Sequence, residues 1–214
     1  MYGSKVPAVP TPVENAQVEP AGGTKGDRTR GLLLEIAVRR FALDGYRRTS
    51  VSDIAREARL SPAAVYAYFA GKEALFEAAV DLDAGALIDR ARIAIAGTPV
   101  RAREAVILAE LADHVTEHPL AARVLSGKEP EVIDRVLDLP SLRAFNTQIA
   151  TDIAQAQSDG EVRTDVDPVE MANGFEAIIL TLLMGLLQAR VAEDSRLAIG
   201  ALAVLDAALR PSRP

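Results

Sequence analysis

The chain has 214 residues, 49% hydrophobic, 25% charged and 4% aromatic, with a formal net charge of −6. That length accommodates one large domain or two small ones and buries a real core without staples. The lack of Cys excludes a disulfide framework, a thiolate zinc site and a cysteine nucleophile, and with His114 and His118 alone a multi-histidine metal cage is excluded too.

The net charge conceals an asymmetry. Residues 24–72 hold ten basic and five acidic side chains, whereas residues 73–214 hold 13 basic and 23 acidic ones. A basic segment joined to an acidic body suggests that the segment binds a polyanion and the body has another task. Ala, Leu, Arg and Glu dominate, which favours helices.

Residues 1–23 have no apolar targeting core and carry Pro7, Pro10, Pro12 and Pro20, so they read as a disordered arm. Leu33, Leu34, Ala37, Val38 and Phe41 fall on one helical face, and Gly45 stops that helix. Ser50-Val51-Ser52-Asp53 resembles a capping box with Asp in the fourth place and opens a short helix to about residue 58. Ser61-Pro62 opens another, ending near Phe69. A long helix is predicted from Lys72 to about Ala96, broken by Gly97-Thr98-Pro99.

Helices continue over 100–118, 120–125 and 141–158, with one or two turns predicted over 131–137. Asp167-Pro168-Val169-Glu170 is a strong helix start, reaching about Val191, and Ser195 caps a last helix ending before Pro211. The longest uncharged stretch, 177–189, falls short of the ~20 apolar residues a bilayer span needs, so a buried helix in a cytoplasmic protein is expected.

Two short capped helices joined by about three residues, with Ile54, Ala55, Val65 and Phe69 between them, have the spacing of a helix-turn-helix. An ordinary αα-corner has the same spacing. The residues themselves go further. Thr29-Arg30, Leu33-Leu34, Ala37, Phe41, Gly45-Tyr46, Thr49-Ser50-Val51, Asp53-Ile54-Ala55, Ala58, Leu60-Ser61, Tyr66, Tyr68-Phe69 and Lys72-Glu73-Ala74-Leu75 follow, in register over three helices, the N-terminal pattern of the tetracycline-repressor (TetR) family. The resemblance covers residues 29–76, and the body resembles the family only in being helical and of suitable length.

The resemblance implies an all-α fold: a disordered arm (1–23), a three-helix DNA-binding head (24–72) and a C-terminal helical bundle for effector binding and dimerisation (73–214). It implies a dimeric regulator of transcription, usually a repressor, that binds a palindromic double-stranded operator and is released by a small, mainly apolar effector. Ser50 would hold a phosphate at a helix N-terminus and Lys72 would neutralise one. Tyr66 and Tyr68 stand where the family contacts phosphate or base.

Ala63 and Ala64 depart from the usual Gly-Thr; alanine cannot donate to a base edge but packs on a thymine methyl. Arg47, Arg48, Thr49 and Arg59 are candidates to compensate, and Ser61 is a further candidate DNA contact. Arg59 stands where the family usually has glycine, and a left-handed backbone there would cost Arg roughly 1 kcal/mol relative to Gly. Lys25, Arg28 and Arg30 would lie in an arm able to enter the minor groove.

In the body, residues 175–187 are mostly apolar around the whole helix, which points to self-association. The resemblance places the last two helices at a two-fold interface, with Ile179, Leu183, Leu186, Leu187, Leu202 and Leu205 as candidates. Candidate effector contacts are Leu108, Leu111, Phe145, Asn146, Ile149, Ile178 and Leu182, with ordinary core packing as the alternative for each. His114 and His118 share a helix face but lack an accompanying carboxylate motif, so no metal or cofactor is expected. An enzyme is disfavoured for want of a triad, metal set or phosphate loop. An interaction protein that has lost DNA recognition remains the competing reading.

Overall fold

The computed structural model describes residues 24–130, 138–189 and 196–211, and among these the regular structure is entirely helical. The expectations for the arm, for 131–137 and for the Ser195 cap lie outside the described residues.

The first helix, α1 (Lys25–Asp44), starts earlier than its apolar periodicity suggests, because Thr24 and Asp27 form a complete capping box. Lys25, Arg28 and Arg30 are therefore helical and do not form a free arm; Arg30 lies 5.1 Å from the centre of the Phe69 ring. Gly45, at φ 84°, closes α1. Then follow α2 (Val51–Glu57), α3 (Pro62–Tyr66) and α4 (Lys72–Ala94).

Leu33, Ala37, Phe41, Ile54, Ala55 and Val65 interlock beneath α2 and α3. This core does not stop at residue 72: Leu75, Phe76, Ala79 and Val80 of α4 complete it. Phe41, Tyr46 and Phe76 form an aromatic trio, with Phe76 edge-on to both partners at 5.0 and 5.1 Å. Such pairs add ~0.5–1.5 kcal/mol each beyond the area they bury.

The body holds α5 (Val100–His114), a 3-10 turn, α6 (Pro119–Leu125), α7 (Pro140–Ser158), α8 (Pro168–Ala189) and α9 (Arg196–Leu209). Its core joins Leu87, Ile88 and Ala91 of α4 to Ile107, Leu111, Phe145, Ile153, Phe175 and Leu205. Thus α4 belongs to both cores. Asp83, midway along it, accepts from the Leu120 and Ala121 backbone N–H groups at 2.8 and 2.9 Å and so caps α6.

From α6, Arg123 pairs with the buried Glu129, whose other oxygen accepts from the Tyr46 N–H at 3.2 Å; Arg123 also donates to the Ala42 carbonyl. Head and body are therefore joined by α4 and by a polar clasp through α6.

Asp167 caps α8 by accepting from Val169 N–H and Glu170 N–H. The single chain leaves part of this helix uncovered, as its apolar character predicts for a lone protomer. Only 28% of its apolar span Pro168–Gln188 is buried within the chain, and by length and composition alone that span is long enough to cross a membrane. One face packs on α5 and α7 through Phe175, Ile179 and Leu183; Ala177 and Thr181 lie exposed on the opposite side.

Candidate nucleic-acid interface and ligand cavity

The turn between α2 and α3 is a Schellman motif: Leu60 N–H donates to the Ala55 carbonyl at 2.8 Å and Arg59 N–H to the Arg56 carbonyl at 3.1 Å. The motif needs a left-handed residue at Arg59, which takes φ 58° and is the sole non-glycine residue with positive φ among those described. The strain conditionally expected from the sequence is therefore present. The guanidinium is exposed beside the start of α3.

Ser61 caps α3 by accepting from Ala64 N–H. The outward surface of α3 and its exit consists of Pro62, Ala63, Tyr66 and Ala67, with Tyr66 56% exposed and Ala64 half-buried. Tyr68, two residues on, turns toward the head core and is half-buried against it. Base-directed polar groups on this face therefore reduce to the Tyr66 and Ser61 hydroxyls.

Arg47 and Arg48 are exposed in the turn before α2, Arg59 is exposed in the turn before α3, and Lys72 stands at the start of α4. Lys72 is held in place: its Nζ lies 4.4 Å from the Tyr46 ring centre and donates to the Arg47 carbonyl. A cation at a helix N-terminus opposes the helix dipole, so packing on Tyr46 keeps a charge where helix energetics alone disfavour it. By contrast, Arg39 and Arg40 are paired with Glu57, and Arg56 with Asp53, so part of the head's positive charge is neutralised internally.

One expected contact is corrected. Thr49 is 3% exposed and its hydroxyl donates to the Gly45 carbonyl at 2.9 Å, so it staples the end of α1 and presents nothing outward. The Ser50 hydroxyl accepts from Asp53 N–H and donates to the Asp53 carboxylate at 2.6 Å. That bond holds the Asp53 carboxyl below its usual range, and Arg56 pairs with the same carboxylate.

In the body, α4, α5, α7 and α8 enclose a cavity of about 60 Å³. Of the expected contacts, Leu111, Phe145, Asn146 and Ile149 line it. Leu108 is packed in the core without lining it, and Ile178 and Leu182 face the opposite way, into an open trough with Leu197 of α9. The periodicity placed these residues on helices but left the rotation of α8 undetermined.

The sequence reading missed Glu104 and Glu176, whose carboxyls line the same cavity. Glu104 is 4% exposed, and burial pushes its carboxyl up to about 7 against weaker lowering by its own backbone N–H and by Arg103. Burial also raises Glu176, opposed by the hydrogen bond from the Asn146 amide. His114 bonds Glu117 and Arg90, while His118 sits 3.4 Å from Asp83. Among the described residues no group of three His, Asp or Glu is placed to hold a metal ion.

The proposed dimer residues also divide. Ile179, Leu183 and Leu205 are 6%, 2% and 1% exposed within the chain's own core and cannot meet a partner. Leu186, Leu187 and Leu202 are half-buried; Leu197, Ile199 and Val204 are 59–67% exposed.

Residues 33–79 match the family described as bacterial regulatory proteins, tetR family. The uncharacterized HTH-type transcriptional regulator YuxN of Bacillus subtilis (strain 168) is 50% identical over 44 residues, which are 21% of this chain and 15% of that protein. Among solved structures, the chain is similar to a TetR-family transcriptional regulator from Rhodococcus sp., at 26% identity and a TM-score of 0.64, covering 86% of this chain and 99% of that one. FadR from Bacillus subtilis, solved in complex with stearoyl-CoA, shares the fold at 17% identity and a TM-score of 0.61, covering 84% and 97%.

Proposed function

Taking the chain as a TetR-family regulator, a class of transcription factors and not of enzymes, we propose that it binds a palindromic operator as a homodimer and is released by a small effector. The observation that carries DNA binding is the exposed Ala63–Tyr66–Ala67 face of α3, with Arg47, Arg48, Arg59 and Lys72 in the turns and helix start that flank α2 and α3. In a major groove this face supplies methyl contacts and few hydrogen bonds, so the basic side chains provide most of the affinity through phosphates. Arg48, Arg59, Ser61, Ala63, Ala64, Tyr66 and Lys72 are the proposed contacts, with Tyr68 acting mainly as a packing residue.

The dimer reading rests on the trough between α8 and α9, formed by Ala177, Ile178, Thr181, Leu182, Gly185, Leu197 and Ala201. An apolar surface of this kind needs cover, and a second copy across a two-fold axis supplies it while matching the operator's symmetry. Release by effector rests on α4. Phe76 in the head core and Ile88 in the cavity wall lie on one helix, about 18 Å apart at 1.5 Å per residue. A ligand that displaces Ile88 tilts the rod that positions the head, and the linkage is typically ~1–3 kcal/mol.

The test is fluorescence anisotropy with DNA from upstream of the protein's own coding sequence, titrated against salt and random-sequence competitor. Saturable, sequence-selective binding that weakens steeply with salt is the expected result. Binding no stronger than to random DNA would favour the interaction-protein reading, which the two alanines of α3 motivate.

A further inference from the structure

The cavity between α5, α7 and α8 is apolar over most of its wall, through Ile88, Ile107, Phe145, Ile149 and Phe175, yet it contains two carboxyls. Glu104 Oε2 is fully buried and has no hydrogen-bond partner among the described residues. Native interiors rarely leave such an acceptor unpaired, and each exception calls for an explanation. Arg103, whose charge reaches Glu104, pairs with Asp152; Arg92, stacked over Phe145, pairs with Asp89 through Nη1 while its buried Nε has no partner among the described residues. Glu176, on α8, also lines the cavity and receives one N–H of the Asn146 amide, so the polar groups of the wall are two carboxyls and one amide.

A second apolar cavity of about 90 Å³ adjoins the first, sharing Ile88, Leu111, Leu142 and Leu180 and extending to Val80, Ala121 and Val124. The two cavities share a wall; Glu104 and Glu176 line the first, and the second is lined by hydrocarbon alone.

We propose that this space receives an alkylamine: a protonated primary or secondary amine whose N–H groups donate to Glu104 and Glu176, with its apolar tail running toward α4 and α6. The proposal deepens, and rests on, the reading of the body as an effector-binding domain. An ammonium satisfies the unpaired acceptor and offsets both carboxyls. A fatty carboxylate would add a third acidic group to a space with no free cation in its wall, and an alcohol brings a single donor and no charge. The ligand chemistry is therefore opposite in sign to the acyl thioester held by the FadR structure of the same fold.

The experiment uses octylammonium, 1-octanol and octanoate, titrated by calorimetry at pH 7.5 into the full chain without DNA. Octylammonium should bind about ten- to a hundredfold more tightly than octanoate, the difference a charge-assisted hydrogen bond provides. Glu104→Gln should remove most of that preference, and Glu176→Gln should reduce it, with melting curves confirming that both variants fold. Octanoate binding as tightly as octylammonium, Glu104→Gln binding the amine like the wild type, or no binding of any probe would each overturn the proposal. Salt-dependent DNA binding is measured separately. If it persists when amine selectivity fails, only the ligand assignment falls; if DNA binding fails while the selectivity holds, only the regulator reading falls.

Discussion

Replacing Glu104 by Gln should make the protein more stable at alkaline pH and change little in acid. In the native state burial raises the Glu104 carboxyl from 4.5 to about 7. A raised carboxyl pKa means that the folded state holds its proton where the unfolded state has lost it. Below pH ~4.5 both states are protonated and the side chain imposes no electrostatic penalty. Between pH ~4.5 and ~7 the penalty grows, and above ~7 it is complete. At 1.36 kcal/mol per pH unit this amounts to about 3 kcal/mol, an order-of-magnitude figure for a side chain whose oxygen has no partner.

Gln is nearly isosteric and cannot ionise, so it escapes the penalty. For a chain of this size 1 kcal/mol moves Tm by ~2–4 °C, and about 2.5 kcal/mol of the penalty develops between pH 5 and pH 8, so the gap between variant and wild type should widen by ~5–10 °C over that range. Melting both proteins at one concentration and one ionic strength cancels the remaining titrations, apart from coupling to Glu176 across the cavity. The Glu104→Gln/Glu176→Gln double variant measures that coupling. A Tm gap that stays constant across this pH range would show that Glu104 is ionised and satisfied throughout, and the account of the cavity would be wrong.

Arg59→Gly relieves ~1–2 kcal/mol of left-handed strain but adds ~0.4–1 kcal/mol of unfolded-state entropy. A net gain of up to about 1.5 kcal/mol should appear in denaturant melts, together with weaker DNA binding; a destabilised variant would contradict the strain at φ 58°. Lys72→Gln should lower the slope of log K against log salt by ~0.9 for each protomer bound. An unchanged slope with unchanged affinity would remove Lys72 from the phosphate contacts, and a melt separates this effect from loss of its packing on Tyr46. Ile178→Asp with Leu197→Asp should yield soluble, folded monomers by sedimentation, since both side chains line the trough between α8 and α9. Dimers persisting in that variant would place the interface elsewhere.

Local chemistry was legible from the chain alone. Ser50, Ser61 and Asp167 bring their own helix caps, Gly45 ends α1, and the apolar spacing of Leu33, Ala37 and Phe41 marks a buried face, because each signal depends on residues within one or two turns. The head's family resemblance was legible for the same reason, and with it the glycine-like position of Arg59. The Thr24–Asp27 box was equally local and was overlooked under the basic residues that follow it. What required the tertiary structure is orientation. A helix apolar all round, as α8 is, carries no periodic signal for which face meets its own core, so Ile179 and Leu183 went inward and Ile178 and Leu182 outward by packing against α5 and α7. Thr49 faces inward because the end of α1 offers it a carbonyl. Glu104 reads in sequence as one more surface charge on an amphipathic helix; only α7 and α8 closing over it turn it into a buried, unpaired acceptor.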